Sequence, residues 1–94
     1  MSELVLELQK ICALGDEAQA FITSNIGNYM IEKARSEAFD SMATLKSIEP
    51  TKANEIRELQ NTVQRAENFE AWLAEAYQAG QNAAEQLQQL EQSD

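Results

Sequence analysis

No histidine occurs in the chain, which removes the commonest general base and the commonest transition-metal ligand. Di-iron sites in helix bundles need inward-facing Glu residues and a Glu-x-x-His pair. Glu55/Glu58 and Glu67/Glu70 have the i, i+3 spacing. Without an imidazole they read as exposed acids, because charged side chains seldom bury unpaired. The single Cys12 makes no internal disulfide and has no imidazole to activate it. It reads as a small hydrophobe in the apolar run from Leu4 to Leu14. Phosphate-cradling glycine patterns, EF-hand loops and cysteine pairs for zinc are all missing. Many carboxylates are available for a catalytic dyad, and nothing singles two of them out. The expectation is a protein that is not an enzyme, with no cofactor and no metal.

Basic residues are scarce as well. Seven Lys and Arg face sixteen Asp and Glu, for a formal net charge of −9. Nucleic acid and anionic membrane both require a cationic face, so neither is an expected partner. No apolar run approaches the ~20 residues that span a bilayer, and nothing resembles a secretory signal. A reducing cytoplasm fits the lone thiol. The charge is also uneven: after Arg65 there is no Lys or Arg, while Glu67, Glu70, Glu75, Glu85, Glu91 and Asp94 follow. Such a half is either a solvated helix face or a decoy that imitates nucleic-acid phosphates.

One proline and three glycines leave little punctuation, which favours long helices over many short strands. Ala, Glu, Gln and Leu dominate, all strong helix formers, and β-branched residues never alternate over a strand's length. The reading is one all-α domain over 1–94: a helical bundle built on an antiparallel helical hairpin with one long C-terminal helix. Helices are predicted over 3–14, 17–23, 28–47 and 51–90, with 91–94 as a frayed tail. Gly15 stands where a left-handed residue often ends a helix, and Asp16 where an N-cap would start the next. Ser24 to Asn28 reads as a turn. Pro50 forbids continuation and pushes Glu49 out of the α region, while being acceptable at the first position of a following helix.

The helix over 28–47 has an apolar stripe of Ile31, Ala34, Ala38, Met42 and Leu45, widened by Tyr29, Met30 and Phe39. The last helix repeats Ile56, Leu59, Val63, Ala66, Leu73, Tyr77, Ala84 and Leu87 at steps of three and four, a seam interrupted by Glu70 and Gly80. Phe69, Ala76, Ala83 and Leu90 form a neighbouring row, so the stripe is wider than a two-stranded coiled coil needs. Forty residues make a helix of about 60 Å and twenty make about 30 Å. The penultimate helix therefore covers only the first half of the last one. The remainder carries Phe69, Trp72, Leu73 and Tyr77, the candidate interface with a partner or another subunit, since Trp and Tyr are enriched at binding hot spots. The plainer alternative is that these aromatics pack within the chain. Three covers are open: the N-terminal helices fold back, the long helix breaks near Gly80, or another chain packs there. Homo-oligomerisation is expected.

The stretch IGNYMIEKARSEAFDSMATLKSIEP, followed by NEIRELQNTVQRAENFEAWLAEAYQAGQNA, resembles small uncharacterised helical proteins encoded by tailed bacteriophages. The shared order is Gly27 to Tyr29, Glu49-Pro50, Ile56 to Gln60 and Trp72-Leu73, over about two thirds of the chain. The resemblance implies a phage-encoded accessory, assembly or virion protein, and it transfers no functional residue.

The resulting expectation is a non-enzymatic interaction protein, an oligomeric structural or assembly component of the virion. Its partners would be other copies of itself and another protein, in the bacterial host cytoplasm or in the particle. The competing expectation is an acidic anti-defence protein that blocks a host nucleic-acid-binding or defence protein.

Overall fold

The computed structural model describes residues 2–93. Among them the protein is all-α, with α1 (Glu3–Thr23), α2 (Asn25–Ser47) and the long C-terminal α3 (Ala53–Gln92), and no strand. It is a helical bundle built on the antiparallel hairpin of α2 with the first half of α3.

α1 starts at Ser2, whose Oγ accepts a hydrogen bond from the Val5 amide at 3.2 Å. That satisfies one of the amides a first turn leaves open, and Glu3 adds negative charge beside the positive end of the helix dipole. The helix then runs through Gly15 and Asp16, so the predicted helices over 3–14 and 17–23 are one. Gly15 does not adopt a positive φ and so does not cap the helix. Its bare Cα instead admits the backbone of Gly80, although glycine costs a helix interior ~1 kcal/mol. The break comes at Ser24, in extended backbone with φ −78° and ψ 161°, its N–H bonded to the Phe21 carbonyl. The predicted turn over 24–28 shrinks to that one residue. Asn25 to Asn28 form the first turn of α2, where small polar residues are tolerated.

Between α2 and α3, the Lys52 amide donates to the Glu49 carbonyl at 3.1 Å. Glu49 to Lys52 is thus a β-turn with Pro50 second, the position its fixed φ suits. Pro50 belongs to the corner rather than to α3, which begins at Ala53, two residues later than predicted. α3 passes Gly80 unbroken and extends to Gln92. Of the predicted frayed tail, Glu91 and Gln92 are helical and Ser93 is a turn, and Asp94 lies outside the described residues.

The chain divides into two compact units, residues 2–24 with 72–93, and residues 25–71. In the first, α1 packs on the C-terminal half of α3, which is the cover the helix lengths left open for α1. Leu8, Ala18 and Ala83 are its buried side chains. Gly15 and Gly80 meet backbone to backbone, and the Cys12 thiol lies 3.6 Å from the Gly80 carbonyl. Ala83, at 2% exposure, holds the inward position that the seam assigned to exposed Ala84.

In the second unit the seam is Ile31, Ala34, Ala38, Ser41 and Leu45 of α2 with Ile48 just after it, and Ile56, Leu59, Val63 and Ala66 of α3. Its apolar members are all only half-buried. Ser41 is buried where Met42 was predicted, and Met42 and Phe39 point outward. The steps of three and four are kept by both choices, so spacing alone does not separate Ser41 from Met42.

Candidate interaction surface

Two helices touch along one line, so each residue in their seam keeps solvent on its flanks. Residues 25–71 show the consequence. Their buried residues are Gly27 and Ser41, and no apolar side chain among them is buried. Phe39 is 73% exposed and Met42 50%. Three residues apart on α2, the two share a face. With Ala38 and Ala66 they line an open groove of about 430 Å³ edged by Arg35, Glu67 and Glu70. A second groove of about 210 Å³ lies against Met30, Ala34 and Phe69, with Lys33 and Glu37 at its rim.

The groove edge is held by one ion pair. Arg35 Nε donates to Glu70 Oε1 at 2.6 Å and Nη2 to Oε2 at 2.8 Å, a planar two-point contact that fixes α2 against α3 in register. The hydrogen bonds from Arg35 hold the Glu70 carboxyl below the usual carboxylate range, against a smaller opposing effect of burial. Glu70, which interrupts the apolar repeat in the sequence, thus occupies the seam position itself with its charge answered. Glu55 is likewise beside a cation, Lys52, at 3.8 Å. Among the described residues no group of three His, Cys, Asp or Glu is placed to hold a metal ion. No helix there is long and apolar enough to cross a membrane.

The four residues predicted as an interface are distributed unevenly. Phe69 belongs to the hairpin unit and is half-buried, whereas Trp72, Leu73 and Tyr77 belong to the other unit. Leu73 and Tyr77 are half-buried on the seam spacing, and Trp72 alone of the four is exposed, at 63%. Phe39 and Met42 were read as members of an inward stripe. A usable signal was present in the stripe's width: eight apolar positions on α2 exceed what α3 alone can cover.

Comparison of the chain with protein-family models, with curated proteins and with solved structures finds no match.

Proposed function

We propose that this is a non-enzymatic helical interaction protein that works as a homo-oligomer, as a structural or assembly component of a phage virion. The observation that carries the reading is apolar exposure. Among the described residues ten large apolar side chains, Phe39, Trp72, Tyr29 and Ile26 among them, are exposed while the buried apolar residues are Leu8, Ala18 and Ala83. At about 25 cal/mol per Å², covering such surface favours association, and the groove of Ala38, Phe39, Met42 and Ala66 is a contiguous apolar patch of the kind that marks interaction sites. The virion setting is supported by the resemblance of the Gly27–Tyr29, Glu49-Pro50 and Trp72-Leu73 segments to tailed-phage proteins. Light scattering on a size-exclusion column tests the oligomer. A mass of one chain at every concentration would sink it. Detection of the chain in purified particles tests the setting, and its absence from them would remove the virion role.

An acidic decoy for a host nucleic-acid-binding protein is the second reading. It is favoured by the distribution of charge: residues 66–94 contain no Lys or Arg. Exposed charge pairing is screened by salt, so this reading requires binding to a basic protein that weakens steeply as salt rises.

A further inference from the structure

We propose that the Phe39/Met42 face of the α2–α3 hairpin docks on the same face of a second copy, so that two hairpins close a four-helix bundle. The inference rests on the oligomeric reading above and names the surface and the partner. Its first support is the hairpin's own incompleteness. Seam residues Ala38, Leu45, Leu59 and Ala66 are half-buried because α2 and α3 cover each other on one side only. A second pair of helices supplies the missing layer, with the facing stripes packed as in a four-helix bundle.

With a second copy as the occupant, charge selects the hairpin as the face that two copies share. Residues 25–71 contain six of the seven bases and eight of the sixteen acids, a net −2. The rest of the chain sets Lys10 alone against eight acids, a net −7. Two copies therefore meet with least repulsion through the hairpin, since net charge of one sign opposes association. The rim of the groove carries both signs, Arg35 beside Glu67 and Glu70. Arg35 and Glu70 already neutralise each other there, so Glu67 is the one rim charge that a second copy has to accommodate.

Size is adequate. A hairpin about 30 Å long and two helix diameters, about 20 Å, wide offers a face of about 600 Å² in projection. Each partner in a standard-size interface contributes about 800 Å², which side-chain relief on such a face approaches. This groove, about 430 Å³, is larger than the hairpin's grooves of about 350, 310 and 210 Å³, and it holds the most exposed aromatic, Phe39.

The experiment is the solution mass of the full chain and of two variants, with helix content followed by circular dichroism. The wild type is expected at twice 10.5 kDa or a multiple of that, and Phe39→Glu at the mass of one chain with its helix signal retained. Trp72→Asp is expected to keep the wild-type mass. Should Phe39→Glu lose its helix signal, Phe39→Ala decides, because truncating an interface anchor raises the dissociation constant at least about tenfold. An oligomer that Trp72→Asp dissolves and both Phe39 variants leave intact overturns this face while the oligomeric reading stands. A wild-type monomer overturns both.

Discussion

A Cβ built on Gly15 would stand 2.8 Å from the Cα of Gly80, and one built on Gly80 would stand equally close to the Cα of Gly15. Real Cβ atoms do not approach backbone so nearly, and the Ala76 carbonyl oxygen, at 3.0 Å from the Gly15 position, narrows the space further. α1 and the C-terminal half of α3 are this close because both residues lack a side chain.

Gly15→Ala and Gly80→Ala are each expected to destabilise the chain. Alanine gains about 1 kcal/mol of helix propensity, but forcing two backbones apart costs about 1–3 kcal/mol, and backbone has no rotamer to yield. The net loss lowers the melting temperature by several degrees, at about 4–8 °C per kcal/mol for a domain of this size. Thermal unfolding followed at the helix band checks it. A melting temperature that rises in either variant would contradict the close approach.

Glu70→Gln is expected to lower stability at neutral pH and to make no difference in acid. The folded Glu70 carboxyl titrates below its unfolded value. Its contribution is therefore present above the unfolded pKa and is lost as pH falls through the folded one. The melting temperatures of wild type and variant should converge as pH drops through the carboxylate range. Added salt should narrow the gap at neutral pH as well, because the Arg35 side chain is 66% exposed and screened. A gap that is constant from neutral to acid pH would show that the charge on Glu70 is not what matters.

Trp72 is the chain's one tryptophan, which makes its surroundings directly readable. At 63% exposure it should be quenched by acrylamide nearly as well in the native protein as in urea. Trp72→Asp should leave the unfolding free energy within about 0.5 kcal/mol, as surface changes do. Native protection of the indole from quencher would mean that a partner sits over it.

Ser2→Ala removes the oxygen that accepts from the Val5 amide. Loss of an N-cap costs about 1 kcal/mol, felt at the first turn of α1. Hydrogen exchange at the Val5 amide should accelerate while exchange near Ala18 stays unchanged. Equal rates at Val5 in the two proteins would remove the cap from the account of how α1 begins.

Much of this architecture is legible without coordinates. Helix formers throughout, apolar steps of three and four, and Pro50 between two long stripes determine an all-α chain with an antiparallel corner, because these are local properties of neighbouring residues. Tertiary structure decided what neighbouring residues do not. Gly15 reads locally as a helix end, yet it is an interior contact, since only Gly80, sixty-five residues away in sequence, makes a bare backbone useful there. Glu70 reads as an interruption of the seam, and Arg35 on another helix turns it into the seam's fixed point. Ser41 and Met42 satisfy the same spacing, and only the line along which α2 meets α3 buries the first and turns the second, with Phe39, outward. A helical repeat specifies which residues share a face, whereas the packing partner determines how much of that face is covered.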